Sequence, residues 1–309
     1  MCVFSLMPIL PLSRSRSVLG HPTTLRFVSM ALLAAVIATA APIAYPDSKD
    51  EAAKPASTAE VDTAKDVTWL PTPQEMVDAL LRTARVSKRD LVIDLGSGDG
   101  RIPIAAAAKF GAHGIGIEFD AELIAASRKR ADELGVADRV EFRQEDLFDA
   151  DISKATVVTL FLAEAHGARL RAKLLKLKPG TRVASYKYGI PDWEPDEVVS
   201  VGDHKGMLWV VPTNVAGSWR LRLTEGRGAR DLSVTLAQRY QRVEGDVKGA
   251  GVSTELVKQG IVRGDRLSFL LPGESGDRSF FAQVVGEVMT GTVSDGVRGV
   301  RFRADRVTK

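Results

Sequence analysis

Residues 91–100 read LVIDLGSGDG, and the reading of this stretch decides the fold. Four apolar residues, Leu91, Val92, Ile93 and Leu95, surround a single acid, Asp94. A short run this apolar predicts a strand buried on both faces, as in a parallel sheet. Gly96, Gly98 and Gly100 follow in alternation. Glycines placed directly after a buried strand permit a tight turn and let a ligand come close to the backbone. An alanine-rich helix is then predicted over 101–110, with Gly111 as its stop. Strand, glycine loop and helix together put a crevice for a nucleotide-like ligand at the carboxyl end of a strand.

The spacing separates two classes of ligand. A dinucleotide loop has the form G-x-G-x-x-G. Here the third glycine comes one residue early, and Arg101 stands where that glycine belongs. The order D-x-G-x-G-x-G from Asp94 to Gly100 instead resembles motif I of the class I (seven-strand) S-adenosylmethionine-dependent methyltransferases.

Further along, the apolar periods alternate between strand and helix, which predicts a doubly wound sheet with right-handed crossovers. A lead-in helix opens at 71–75, with Thr72 and Glu75 spaced as a capping box. Strands are predicted over 113–120, 139–146, 155–162 and 182–188, with helices over 121–134 and 164–177 between them. Segments 197–202 and 206–211 read as a closing antiparallel pair. Glu118 ends the second strand, where a carboxylate can accept hydrogen bonds from both ribose hydroxyls. Asp120 is placed to cap the following helix.

The set PTPQEMVDALL, VIDLGSGDGRIPIAAA, GIGIEFD, ADRVEFRQEDLF and ATVVTLFL, with the late Pro191-Asp192-Trp193, narrows the resemblance. Over about 66–212 the chain is similar to bacterial relatives of the mitochondrial lysine methyltransferases that modify the c-ring protein of ATP synthase and the adenine nucleotide translocase. The resemblance implies S-adenosylmethionine as cofactor, held by Asp94, Gly96, Ser97, Gly98, Gly100, Glu118, Asp146 and Leu147. In it Asp146 takes the adenine amino group and Leu147 touches the ring, while Glu145 is left to solvent. The implied reaction is N-methylation of protein lysine. Residues 161–164 (FLAE) carry no N-P-P-Y-type acceptor motif, so the acceptor stays open. Candidates for the catalytic wall are Glu164, His166, Tyr188 and Trp193, each with an ordinary structural role as its alternative. A non-catalytic cofactor-binding protein of the envelope and a small-molecule methyltransferase remain as competing readings.

Residues 1–46 hold no acid, and Arg14, Arg16 and Arg26 precede an apolar run over 27–41. Ala38-Thr39-Ala40 has the small-x-small form of a signal-peptidase site. Export with cleavage after residue 40, or anchoring, is the expectation, and a cytoplasmic protein follows if that reading fails. Pro42 falls before the roughly 20 apolar residues that an anchor needs. The whole chain has 42 basic and 39 acidic residues, and removal of 1–40 leaves 39 of each, so charge gives no reason to expect a nucleic-acid partner. The one cysteine, Cys2, lies in the removed part, and no metal site is expected. Residues 41–66 read as a polar linker, 67–213 as the methyltransferase domain and 214–309 as a separate β-rich domain. In that last part the period changes to two, as in Trp219–Leu223 and 232–236, with runs over 266–271, 280–289 and 297–302. It predicts a small barrel or sandwich. A G-x-W opening at 217–219 is similar to lipocalin-like barrels over three residues only.

Overall fold

The structure, a computed structural model, describes residues 70–225, 228–249, 252–272 and 276–307. The export segment and the whole linker expected from the sequence lie outside the described residues. Two sheets, the first of them covered by helices, organise the described residues.

The first sheet is built on β1 (Leu91–Leu95), four of whose five residues are buried. Its neighbours are β2 (His113–Glu118), β3 (Val140–Gln144), β4 (Val157–Leu160), β5 (Arg182–Tyr186), β6 (Glu197–Val201) and β7 (His204–Val210), in the order β3-β2-β1-β4-β5-β7-β6. The first five strands are parallel, and β7 runs antiparallel to β5 and β6. The strand order reverses between β1 and β4, so a crevice opens beyond their carboxyl ends. Four helices cover the sheet: α1 (Gln74–Thr83), α2 (Arg101–Phe110), α3 (Ala121–Glu133) and α4 (Glu164–Leu174). The predicted α2 and its Gly111 stop are found as expected. Asp120 caps α3 by accepting from the amides of Glu122 and Leu123.

Close packing fixes how α2 meets the sheet. A Cβ on Gly100, which has φ +71°, would lie 2.6 Å from the Phe142 ring. The third glycine of the loop therefore lets α2 settle onto β3, which is a packing role.

The second sheet holds β8 (Gly217–Glu225), β9 (Gly228–Arg239), β10 (Arg242–Gly249), β11 (Val252–Leu256), β12 (Lys258–Arg263), β13 (Arg266–Leu271), β14 (Arg278–Val285), β15 (Val288–Ser294) and β16 (Gly299–Arg306). Sequential strands pair antiparallel, with β11 and β12 forming one bent path beside β10. The last strand, β16, returns to pair with β8 from Arg306↔Trp219 to Arg301↔Thr224, so the sheet closes into a barrel. Closure removes the exposed edges that an open sheet would present. Alternate residues face inward, among them Leu232, Val234, Leu236, Leu267, Phe269, Phe280 and Phe302. Trp219 is fully buried at one end, donates its indole N–H to the Val215 carbonyl at 2.9 Å, and carries the Arg306 guanidinium over its ring at 4.2 Å.

That end of the barrel is bonded to the first sheet. Thr213 donates its amide to the Gly264 carbonyl at 2.7 Å, and Gln241 donates to the Glu194 carbonyl at 2.7 Å. Arg242 pairs with the Glu194 carboxylate at 2.7 Å, and Tyr240 stacks on Trp193 with 6.1 Å between ring centres.

Three expectations need correction. Thr72 does not cap α1; Pro73 stands at the cap position without a side-chain bond, and Thr72 is buried with its carbonyl accepting from Arg101 at 2.7 Å. The run 280–289 is two strands, because Gly286 (φ +57°) and Glu287 turn the chain and pair Val285 with Val288. Val297 is not in a strand; β16 begins at Gly299.

Candidate functional site

The crevice beyond β1 and β4 is lined by Asp94, Gly96, Ser97, Asp99 and Arg101 from the glycine loop, by Ile117, Glu118 and Phe119 from the end of β2, and by Glu145 and Leu147 after β3. Leu70, Pro71 and Thr72 close it from the amino-terminal side, with Ile102 and Phe161 completing the wall.

The loop is held by its own amides. Gly96 and Ser97 both donate to the Ile117 carbonyl at 2.9 Å, which ties the turn to β2. Gly98 donates its amide to Glu118 Oε2 at 2.8 Å. The other oxygen, Oε1, accepts from the amides of Phe119 at 2.8 Å and Asp120 at 3.0 Å. Three N–H groups thus fix the Glu118 carboxylate at the crevice, with Oε2 bonded to the protein once and open to a further donor. A ribose hydroxyl supplies such a donor.

Asp94 is 3% exposed, and Thr159 donates to its Oδ1 at 2.6 Å. Burial pushes its carboxyl up to about 7, against the Thr159 hydrogen bond, and the nearby carboxylates of Glu118 and Asp99 add to the rise. A buried acid of this kind is stabilised in its charged form by a cation placed against Oδ2. Ser97 Oγ is buried on the same wall and makes no hydrogen bond within the protein. An unsatisfied buried hydroxyl and a desolvated acid beside open space fit the ammonium and carboxylate end of an amino-acid-bearing cofactor.

Asp99 has no role that its position in the sequence reveals, and Arg101 stands out there only for displacing a glycine. In the fold the two form a clamp. Arg101 grips Asp99 through Nε and Nη2, both at 2.8 Å, and reaches the Thr72 carbonyl with Nη1. Arg130 adds a contact to Asp99 at 3.0 Å. Burial raises the Asp99 carboxyl, but the Arg101 bonds and the charges of Arg101 and Arg130 outweigh it and hold the group below its ordinary value. The segment before α1 is thereby fastened to the glycine loop.

The structure places the other expected residues as follows. Gly96 and Leu147 line the crevice, whereas Gly98 contributes its amide to Glu118 and Gly100 faces Phe142, both outside the lining. Asp146 also lies outside it: its Oδ1 accepts from the Phe148 amide at 2.8 Å, and the preceding Glu145 takes the wall position. Glu164 is exposed at the first turn of α4. His166 is buried against Phe148 at 5.8 Å between ring centres. Trp193 is 2% exposed between Trp209 and Tyr240, at the joint with the barrel. Only Tyr188, of the four wall candidates, is tied to the crevice, through its stack on Phe161. Among the described residues no group of three or more His, Cys, Asp and Glu could hold a metal ion, and no helix is long and apolar enough to cross a membrane.

Comparison with known proteins bears on this geometry. Residues 94–197 match the family described as ANTKMT methyltransferase domain. A protein-lysine N-methyltransferase of Saccharolobus islandicus (strain REY15A) is 42% identical over 151 residues, covering 47% of this chain and 94% of the relative. The adenine nucleotide translocase lysine N-methyltransferase of Mus musculus is 32% identical over 127 residues, covering 41% of this chain and 55% of the relative. A solved structure described as an RNA methyltransferase from Salinibacter ruber in complex with S-adenosyl-L-homocysteine is 48% identical, at a TM-score of 0.46, over 47% of this chain and 96% of that one. The family match ends at 197, before the first strand of the barrel. With nearly the whole Saccharolobus islandicus relative spanned at this identity, and with the glycine loop, the buried Asp94 and the pinned Glu118 in place, the chain belongs to the ANTKMT family of S-adenosylmethionine-dependent methyltransferases.

Proposed function

We propose that the protein methylates a lysine side chain of a protein acceptor, with residues 67–213 carrying the reaction and the barrel, 214–309, serving attachment or substrate capture. The observation that carries this reading is the crevice in which buried Asp94, unsatisfied Ser97 Oγ and amide-pinned Glu118 face one space. The protein-lysine assignment of the Saccharolobus islandicus relative supports the acceptor class.

The cofactor supplies an electrophilic methyl group on a sulfonium. The chain's own task is to hold and to orient. Of the residues lining the crevice, Asp94 would hold the methionyl ammonium through Oδ2, Glu118 Oε2 would accept from the ribose, and Leu147 with Phe119 would offer apolar surface to the adenine. Holding the acceptor amine in line with the methyl–sulfur bond supplies much of the acceleration. The amine must first lose its proton, because only the free base carries the lone pair. No residue on the crevice wall is needed as a permanent base if that proton leaves to water.

The export reading is part of the proposal. It is supported by the acid-free amino terminus, its three arginines, its apolar run and the Ala38-Thr39-Ala40 site. An envelope protein is then the acceptor.

Incubating the full chain with methyl-tritiated S-adenosylmethionine and separate envelope-protein, RNA and metabolite fractions tests this reading. The expected result is label in protein, recovered as methyl-lysine after acid hydrolysis. Label confined to RNA or to small molecules, or none at all from a protein that binds the cofactor, would contradict it.

A further inference from the structure

Phe161 follows β4 at its carboxyl end and forms part of the cofactor crevice together with Gly96 and Leu147. Its ring is not isolated. Tyr186, the last residue of β5, packs against it with 4.5 Å between centres, and Tyr188 stacks on it at 6.1 Å with an interplanar angle of 19°. The three rings stand at the carboxyl ends of two adjacent parallel strands, next to the loop that holds the cofactor.

The chain spends conformational strain to build this cluster. Lys187, between the two tyrosines, has φ +68°, an uncommon value for a residue with a side chain. The turn is fixed on both sides. Tyr188 donates its amide to the Tyr186 carbonyl at 2.8 Å, and Ser185 donates its hydroxyl to the Tyr188 carbonyl at 2.7 Å. Tyr186 is itself buried and held by a 2.6 Å hydrogen bond between its hydroxyl and His204 Nδ1. Tyr188 alone of the two tyrosines is half-exposed, so its ring is reachable from outside. A lysine ammonium already sits over it, since Lys187 Nζ lies 5.2 Å from the ring centre.

We infer that Phe161 and Tyr188 wall the acceptor channel, with Tyr188 as a specificity-determining residue for an alkylammonium side chain and Tyr186 and His204 as positioning residues behind it. The inference rests on the methyl-transfer reading of the crevice. Aromatic faces attract ammonium and methylated ammonium groups through their quadrupole. The same apolar walls strip water from the amine, which favours its uncharged form. Transfer then forms one N–C bond at the amine and breaks one C–S bond, the electron pair of that bond staying on sulfur. The amine proton leaves to water. Neither tyrosine is required to exchange a proton.

The test uses the full chain labelled with ¹³C on the rings of its four tyrosines. S-adenosyl-L-homocysteine is added first, and its affinity is measured by calorimetry. n-Butyltrimethylammonium, a stand-in for a methylated lysine side chain, is then titrated while the ring signals are followed. The Tyr188 signal, identified by its loss in Tyr188→Leu, is expected to shift saturably, whereas that of Tyr240 stays in place. Tyr188→Leu is expected to weaken probe binding about fivefold or more and Tyr188→Phe to restore it, since the ring face is what binds. Both variants are expected to keep homocysteine-cofactor affinity within about twofold, because Tyr188 is outside the cofactor wall. Normal S-adenosyl-L-homocysteine binding with an unmoved Tyr188 signal, or equal probe affinity in Tyr188→Leu, would overturn the inference. Absence of S-adenosyl-L-homocysteine binding would instead overturn the reading of the crevice on which it stands.

Discussion

Asp94→Asn is expected to stabilise the free protein at pH 8 while weakening S-adenosylmethionine binding about 100-fold. Both halves follow from one fact: a carboxyl raised by burial to about 7 is costly to ionise in the folded chain. Thr159 gives it a single hydrogen bond, and Glu118 and Asp99 add negative charge nearby. Its unfolded value is the ordinary 3.8, so between these limits the folded state holds the extra proton. Stability from this group is therefore present below about pH 4 and is lost as pH rises through about 7. Asparagine keeps the Thr159 contact through its carbonyl and removes the charge. Urea unfolding of both proteins at pH 5 and pH 8 checks this, with the variant gaining more at the higher pH.

Binding runs the other way. The methionyl ammonium needs an ionised partner, and removing one member of a buried charged pair costs roughly 2–5 kcal/mol. Wild-type affinity for S-adenosylmethionine should accordingly rise with pH up to about 7, approaching tenfold per pH unit on the acid side. The variant's weak affinity should lack that slope. An Asp94→Asn protein that binds as tightly as wild type would remove Asp94 from the cofactor site.

Trp209→Ala is expected to lower stability by about 3–5 kcal/mol, the usual range for deleting a buried large aromatic. Trp209 is fully buried on β7 and donates its indole N–H to the Trp193 carbonyl at 2.8 Å. Deletion leaves a cavity in the core of the first sheet and an orphaned carbonyl at the segment that stacks on Tyr240. The midpoint of urea unfolding reads the loss directly. A change under about 1 kcal/mol would mean that this core collapses around the gap without cost.

Much of the first sheet was legible because its signals are local. The apolar run before Gly96, the Gly111 stop and the Asp120 cap each depend on residues a turn apart. Glu118 was legible for the same reason, as an acid ending a strand. What failed depended on one-residue register or on distant partners. Glu145, expected to face solvent, lines the crevice instead, beside Asp146, whose Oδ1 accepts from the Phe148 amide. Thr72 has a capping sequence, yet its carbonyl is taken by Arg101, 29 residues away. Phe161 reads as the end of a buried strand, and only the neighbouring β5 tyrosines reveal it as part of an aromatic wall. The barrel's alternation was visible, but its closure depends on β16 meeting β8, for which no local pattern exists. The Gly286-Glu287 turn was hidden in a nearly unbroken apolar run.

The central claim is that this crevice binds S-adenosylmethionine through its ordered acids. Calorimetric titration of S-adenosylmethionine into the full chain and into Glu118→Ala at pH 8 tests it most directly. The variant loses the ribose acceptor and frees the amides of Gly98, Phe119 and Asp120. Micromolar binding by wild type, weakened about tenfold or more in the variant, is the predicted result. No binding by folded wild type, or equal affinity in the two proteins, would contradict the account.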